Sequence, residues 1–575
     1  MRNRTRSVIL KKVEGLVKDR IPKRVVFGLV AALVVIVVAL LLWPRIWLHR
    51  LRPVARDKVI ELLEERFDDV RLERLDIRLS PGSLFFPRMT AVGEGLSISL
   101  PGRAAEGVPP FVTMKEFEVE LGLLGILRDP IRVSSLRMDE LTIQIPPKDD
   151  DGPDGKSEPP PRFVVEDLVA DGAVLRILPR NPKKDPLQFD LHQLRVRSAG
   201  LGEPMKFDSI LQNAKPPGEI QTEGKFGPLR LFDAGASPVS GEYVFAKADL
   251  SVFAGIGGTL YSEGRFDGVL ERIEASGFTE TPDFQLTSAG NPVALRTEFK
   301  AVIDGTNGDT LLQPVDAVLA GSRFRAEGGV AKRPGTDGKT VCLDAEGRGD
   351  RIEDFLRLAM KTQTPFMTGE VRFRSLILIP PGKVDVVEKL VLDGEFVIET
   401  AEFTEGKVQD KVDKLSQTGK GENADDAVSA LQNERVVSDM RGSFRLEGGV
   451  MSLSYLSFAV PGAEVRLKGT YGLVNEQIDF HGELRTEAKV SEMTSGVKSF
   501  FLKLIDPLFE KKGMGAVIPI RIGGSPDSPS FGLDAGRVFS SDETTSAASR
   551  PGEKGEWTKD IPACGAILGT GETDG

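Results

Sequence analysis

Residues 451–484, MSLSYLSFAVPGAEVRLKGTYGLVNEQIDFHGEL, decide the fold class. Apolar residues alternate there with polar and charged ones, so an extended chain would place the two kinds on opposite sides. A period of two is typical of β-strands that have one apolar face and one solvated face. The apolar positions of two such strands are Val465, Leu467, Ile478, Phe480 and Leu484.

The same alternation recurs along most of the chain. Phe117, Val119 and Leu121, for example, are separated by glutamates. Between residues 163 and 533, glycine and Asp or Asn recur at the spacing of turns between strands. Helical spacing is confined to residues 53–67, 351–360, parts of 408–431, and 493–509. The sequence therefore predicts a mostly β fold: a long, curved antiparallel sheet with few short helices.

Length and charge narrow the functional classes. The chain has 575 residues, with Lys+Arg 75 against Asp+Glu 85 and a net charge of −10. An acidic chain does not favour nucleic-acid binding, which needs a cationic surface. His49, His192 and His481 are the three histidines and lie far apart in sequence, so we expect no histidine metal site.

Catalytic motifs are missing from the sequence. The segment 333–340, RPGTDGKT, ends like a phosphate-binding loop, but position 333 is Arg333 where that motif has glycine. A strand-like run follows it, so a turn is expected. With two cysteines the chain has no disulfide scaffold, and we expect Cys342 to lie in a strand as a small apolar side chain. We predict that the protein is not an enzyme and has no cofactor or bound metal.

An uncharged run at 25–43, VVFGLVAALVVIVVALLLW, is long enough to span a bilayer as one helix. It exceeds the apolar core of a signal peptide, so an uncleaved anchor is expected. Residues 1–24 carry nine Lys and Arg, more than the segment after the run. This asymmetry predicts a cytoplasmic N-terminus and a large C-terminal portion on the other side of the membrane.

Composition divides the remainder of the chain. Residues 44–145 form an N-terminal region, and 146–162 form a Pro-rich acidic linker. An extended β region is expected over 163–535. The tail, 536–575, is rich in Ser, Thr, Gly and Glu and is predicted to be disordered.

Several segments in order resemble the AsmA-like family of inner-membrane-anchored periplasmic proteins of Gram-negative bacteria. They are VVSDMRGSFRLEG (436–448), VKSFFLKLIDPLF (497–509), IPIRIGGSPDSPSFGLD (518–534) and, near the N-terminus, residues 117–145. The resemblance covers most of residues 20–535. It implies a β-groove that extends from the bacterial inner membrane into the periplasm. The family is implicated in lipid movement and outer-membrane biogenesis, and it is similar to bridge-like lipid transporters.

The resemblance and the alternation suggest one function and one alternative. An apolar sheet face without enough helices to cover it can bind lipid acyl chains, with Val465, Leu467, Ile478, Phe480 and Leu484 lining the groove. The partners would be a phospholipid or other envelope lipid, the inner membrane and an envelope protein. The alternative is a structural or assembly factor for outer-membrane components that carries no lipid.

A basic amphipathic stretch at 489–512 allows two interpretations. Its apolar stripe includes Val497, Phe501, Leu504 and Leu508. Such a helix can lie in a membrane interface. It can also cap one end of the β-groove, and Pro507 limits its length.

Overall fold

The computed structural model describes residues 57, 59–61, 63–65, 67–80, 88–100, 108–122, 130–146, 163–178, 186–200, 204–230, 233–333, 336–404, 406–420, 438–487, 517–526, 528–534 and 561–568. Strands dominate these residues, which confirms the prediction of a mostly β fold. Of the segment predicted as a helix over 53–67, residues 57, 59–61 and 63–64 are helical.

The chain divides into two compact units, one ending at Leu141 and the other beginning at Thr142. The first unit contains four antiparallel strands in sequence order. They are β1 (Asp68–Ser80), β2 (Arg88–Ser99), β3 (Val112–Gly122) and β4 (Ile131–Asp139).

One face of the first unit is apolar, as the alternation in β3 predicts. Leu75, Gly93, Phe117 and Met138 face one another across the four strands. A Cβ atom at Gly93 would lie 2.1 Å from the Phe117 ring, so the ring occupies the space above this glycine. Glu116, next to Phe117, is exposed on the other face.

The second unit contains the remaining strands. They are β5 (Thr142–Ile145), β6 (Phe163–Ile177), β7 (Leu187–Ala199), β8 (Met205–Ala214), β9 (Pro217–Phe226), β10 (Pro238–Asp249), β11 (Ile256–Gly257), β12 (Thr259–Val269), β13 (Arg272–Leu286), β14 (Val293–Ile303), β15 (Thr310–Leu319), β16 (Ser322–Ala331), β17 (Thr340–Arg351), β18 (Met367–Ile379), β19 (Val391–Phe403), β20 (Ser438–Glu447), β21 (Val450–Val460), β22 (Ala463–Gly472), β23 (Ile478–Thr486), β24 (Val517–Ser525) and β25 (Ser528–Leu533).

Consecutive strands of this unit pair antiparallel from β6 to β10 and from β12 to β25, as predicted. The exception is β5, which pairs parallel with β6, Thr142 facing Val174. A parallel pair needs a crossover of a dozen or more residues, and the Pro-rich segment 146–162 supplies that length. Strand β5 is therefore part of the second unit, which begins at Thr142.

Short helices accompany the strands, and two of them lie at predicted places. They are η1 (Ala234–Ala236), η2 (Leu250–Val252), α1 (Ile352–Ala359), α2 (Val386–Lys389), α3 (Gly406–Lys420) and α4 (Cys564–Leu568). Helix α1 carries Glu353 and Asp354 in its first turn and Arg357 in its last, which suits the helix dipole. The predictions for 351–360 and for part of 408–431 are confirmed, whereas α4 was not predicted.

The stretch that decides the fold class forms β21, β22 and β23. Val465 faces Leu484, and Leu467 faces Gly482. Lys468 faces His481 on the opposite side, so the predicted alternation is confirmed. Thr340, the last residue of the segment 333–340, begins strand β17 rather than a helix, as the sequence predicts.

Part of the C-terminal tail packs against the sheet, contrary to the prediction of disorder. Cys564 of α4 forms a disulfide with Cys342 of β17, 222 residues earlier, with their Cα atoms 5.6 Å apart. Leu568 is buried beside them. Cys342 therefore lies in a strand as expected, but it is a crosslink rather than a small apolar side chain. Composition did not predict this packing, because a segment that a disulfide holds against the sheet needs only a few apolar residues to stay packed there.

Several predicted segments lie outside the described residues. They are the basic segment 1–24, the anchor 25–43, most of the linker 146–162 and the amphipathic positions Val497, Phe501, Leu504 and Leu508. Among the residues that are described, no helix has the length and apolar character needed to cross a membrane.

Candidate functional site

The second unit sorts its side chains onto two faces. We call the side of the sheet that carries Phe266 and the residues in register with it the apolar face. The side that carries Arg265 is the charged face. Phe266 faces Gly241 of β10 and Ala275 of β13, and Arg265 faces Glu242 and Ser276. This separation continues strand by strand through the register to β25.

Helices cover the apolar face from β16 onward, which we call the covered section. The Phe355 ring of α1 meets the Phe373 ring of β18 edge-on, with centroids 5.1 Å apart. Val412 of α3 is buried in one cluster with Leu456 of β21 and Ile518 of β24. Protein side chains therefore already occupy this part of the apolar face.

The five predicted groove residues all lie on the apolar face of the covered section. Val465, Leu467 and Leu484 are buried in the cluster beneath α3. Phe480 is half-buried against the same cluster, and Ile478 is half-buried opposite Tyr471. The structure brings the five together, and three of them serve as core. Their contact with lipid stays a prediction.

A second part of the apolar face, on β8, β9, β10, β12, β13 and β14, is more exposed. We call it the open section. Its phenylalanines are half-buried, unlike the leucines beneath α3. These residues are Phe207, Phe226, Phe245, Phe266 and Phe299. The described α-helices gather on strands from β16 onward and at the ends of β13 and β14, where Asn291 bonds to the Arg357 carbonyl of α1.

Glycines that face each other leave parts of the apolar face of the open section without side chains. Gly224 faces Gly241, and Gly264 faces Gly277. A Cβ atom at Gly241 would lie 2.9 Å from the Phe266 ring, which shows that this ring lies across the glycine. An aromatic ring over a glycine of the next strand covers backbone without projecting away from the sheet. These glycines therefore contribute no side chain to the apolar face, and the Phe266 ring lies close to the backbone.

The turns at one edge of this unit are tied together. The Asn291 side chain, between β13 and β14, donates to the carbonyl of Met360, which follows α1, at 2.8 Å. Ser288 donates to Asp385 at 3.1 Å, next to the start of α2. These bonds join turns of strands that are not neighbours, and they fix the border between the open and covered sections.

Ion pairs hold the charged face. Arg195 and Asp167 are 2.8 Å apart, and Arg521 donates to Asp479 at 2.8 Å. The bond from Arg521 lowers the pKa of Asp479. His481, predicted on this face, lies 3.0 Å from Asp534. Such pairs on a solvated face contribute little stability each, and they keep this side of the sheet in water.

A local apolar patch interrupts the charged face beneath α4. Cys342 and Leu378 face each other there, and Leu376 lies beside them. The backbone N–H of Cys564 donates to Asp344 at 2.9 Å, which orients α4 over the patch. The C-terminal segment therefore covers the opposite side of the sheet from the candidate groove.

A buried carboxylate lies where β17 meets α1. Asp350 is 3 % exposed, and its Oδ1 accepts from the Arg323 backbone N–H at 2.6 Å. Asp354, also buried, accepts from Gly321 N–H and from the Ser322 hydroxyl, each at 3.0 Å. Burial, with a smaller contribution from the charge of Asp354, raises the pKa of Asp350.

Replacing this carboxylate should change how stability depends on pH. Because the folded state raises the pKa of Asp350, it binds this proton more tightly than the unfolded chain does. Wild-type stability should then fall as pH rises from about 4 toward the raised pKa, by at most about 1.4 kcal/mol per pH unit. Asp350→Asn keeps an acceptor for Arg323 and removes the titration. Melting curves at pH 4 to 8 should show that the stability of the variant relative to wild type increases as pH rises. A difference in stability that does not change with pH would contradict this.

Among the described residues, no group of His, Cys, Asp or Glu is arranged to hold a metal ion. No model of a known protein family matches the chain, and neither a characterised protein nor a solved structure matches it. The functional argument therefore depends on the geometry of the apolar face and on the sequence pattern.

The sequence pattern located the apolar face, but the groove residues that it predicted lie in the covered section. The alternation is clear in β22 and β23 because Val465 and Leu484 belong to a packed core, which needs apolar side chains. In the open section, glycine and hydroxyl residues share the inward positions with phenylalanine, as in Gly241, Tyr243 and Phe245. The sequence signal for the open section was the occurrence of glycine and phenylalanine at every second position of one strand.

Proposed function

We propose that this protein is anchored in the bacterial inner membrane, binds lipid acyl chains on the apolar face in the periplasm, and assists phospholipid transfer or outer-membrane biogenesis. The half-buried phenylalanines of the open section carry this proposal. They lie on the apolar face, whose reverse side is charged, and neighbouring apolar side chains that stay partly exposed favour a site of interaction.

Size and energy support an acyl chain as the occupant. Six strands at about 4.8 Å spacing make the open section roughly 24 Å long, measured across the strands. Each buried CH₂ contributes about 0.8 kcal/mol, so a chain of roughly fifteen carbons gains on the order of 10 kcal/mol before the cost of ordering it. A charged headgroup would remain in water at the border of the face.

The disulfide supports a location outside the cytoplasm. Disulfides persist in oxidising compartments such as the periplasm and are rare where thiols are kept reduced. The bond between Cys342 and Cys564 belongs to the second unit, which follows the predicted anchor at 25–43. This agrees with the orientation that the basic residues before the anchor predict.

The covered section supports the alternative function. A sheet whose apolar face is filled by its own helices is a scaffold, and Val465, Leu467 and Leu484 are packed in that way. If helices or partners covered the open section as well, the protein would be a structural or assembly factor without lipid.

Photo-crosslinking in living cells separates the two functions. A benzophenone amino acid in place of Phe226 puts the reactive group on the apolar face, and the same residue in place of Lys225 puts it on the charged face. In cells grown with radioactive phosphate, irradiation should label the full-length protein at 226 at least about tenfold more than at 225, because successive side chains point to opposite faces.

Position 245 provides a repeat on a neighbouring strand, since Phe245 also lies on the apolar face. Equal labelling at 225 and 226 would show that the phosphate lipid comes from non-specific contact. Protein adducts without lipid at 226 and 245 would favour the assembly factor.

A further inference from the structure

Hydroxyl groups line up across three strands of the open section. Ser209 of β8 faces Thr222 of β9, and Thr222 faces Tyr243 of β10. The Ser209 hydroxyl donates to the Gln193 carbonyl at 2.9 Å. The Thr222 hydroxyl donates to the Glu242 carbonyl, also at 2.9 Å. The two hydrogens are thus used within the protein.

The line continues on the next three strands, displaced by one inward position. Ser262 of β12 faces Thr279 of β13, which faces Thr297 of β14. The Ser262 hydroxyl donates to the Phe278 carbonyl at 3.0 Å, so the Tyr243 hydroxyl, 3.0 Å from Ser262, is the donor between these two. The Thr279 and Thr297 hydroxyls bond to each other at 2.7 Å. We call the six residues on β8–β14 the hydroxyl row.

The hydroxyl row offers mainly acceptors to an occupant of the open section. A hydroxyl has one hydrogen and two lone pairs. Ser209, Thr222, Tyr243 and Ser262 give their hydrogens to protein oxygens, and so does one of the two bonded threonines. Burial raises the pKa of Tyr243, so this residue keeps its hydrogen at neutral pH. Thr222 and Tyr243 are half-buried residues, and each hydroxyl oxygen keeps lone pairs after it has donated its hydrogen.

Lipids differ in whether they can use such acceptors. The ester groups of a plain diacyl lipid are acceptors themselves, so they cannot pair with Thr222 or Tyr243, whose hydrogens are already used. A hydroxyl on an acyl chain, or the N–H of an amide-linked chain, is a donor. Burying a lone acceptor without a partner costs free energy, and a donor at the right depth removes that cost.

We propose that the open section selects acyl lipids that carry a hydroxyl or amide donor on the chain, with Thr222 and Tyr243 as the residues that determine this preference. The inference rests on the proposed function, since it assumes that an acyl chain lies on the apolar face. It adds the class of chain that the face selects, which neither the half-buried phenylalanines nor the size of the face determines.

Two probes of equal length test the preference: hexadecanoate and 3-hydroxyhexadecanoate. Each competes with a benzophenone fatty acid for crosslinking to the full-length protein in one detergent. One hydrogen bond changes affinity by about three- to tenfold. We expect 3-hydroxyhexadecanoate to compete better by that factor in wild type. Tyr243→Phe should reduce the preference, and Tyr243→Phe with Thr222→Val should bring it to about twofold or less.

Tyr261→Phe is the matched control, because the Tyr261 hydroxyl lies on the charged face and bonds to Glu263. It should retain the wild-type preference, and melting curves should show all variants folded. Equal competition by both probes in wild type would overturn the inference and leave the proposed function intact. A preference that survives in the double variant would also overturn it. Failure of both probes to compete would argue against acyl binding itself.

Discussion

Leu467→Asp should unfold the second unit at temperatures where wild type is stable. Leu467 is 8 % exposed and lies in the cluster beneath α3, where Val412 and Leu484 surround it. A carboxylate there loses its hydration and finds no cation within the cluster. The loss of apolar contacts and the cost of an unpaired charge should together lower the free energy of unfolding by about 4 kcal/mol or more.

Circular dichroism melting and limited proteolysis would measure this loss. Lys468→Asp is the matched control: it introduces the same residue one position away on the charged face, where Lys468 is exposed. We expect it to change stability by less than about 1 kcal/mol. If Leu467→Asp melted like wild type, the face beneath α3 would be open to water, and the covered section would return as a candidate groove.

Removal of the disulfide should have an effect of similar size. The bond closes a loop with a sequence separation of 222 residues, for which the chain-entropy relation gives about 5 kcal/mol. Cys342→Ala with Cys564→Ala should therefore lower the unfolding midpoint strongly and free residues 561–568 for proteolysis. A chain that ends at Asp534 should lose a comparable amount and expose Leu376 and Leu378.

Ala566→Ser is the control here, because Ala566 is exposed on α4 and its change leaves the bond intact. Thiol alkylation of intact cells adds a direct measurement, since both cysteines should react only after reduction. A double variant with the wild-type midpoint and protease pattern would show that α4 does not hold the sheet.

The local sequence pattern predicted the sheet because the strands place apolar residues at every second position. Val465 and Leu467 were assigned to the correct face from their neighbours alone, and the helix at 352–359 from its spacing. The contact of α3 with Leu456 was not predictable in this way, because it depends on where the chain returns after β19. Alternation thus predicts which face a residue lies on, and long-range contacts determine what packs against that face.

The tail was misjudged for a related reason. Residues 561–568 have little apolar periodicity, and their place depends on a partner more than two hundred residues away. A signal was present in β18, where Leu376, Ile377, Leu378 and Ile379 are apolar on both faces. Such a run indicates that something covers the charged face there, and α4 is what does so.

The distance between the two cysteines also sets a timetable for biosynthesis. At about 5–20 residues per second, 222 residues take roughly 10–45 s to synthesise. During that interval Cys342 has emerged as a free thiol and its partner does not yet exist. Strands β16 to β18 can pair before then, but the patch around Leu376 stays uncovered. A nascent chain that stalls before Cys564 thus carries a free thiol and an exposed apolar surface. Both are removed when residues 561–568 are synthesised and pack against the sheet.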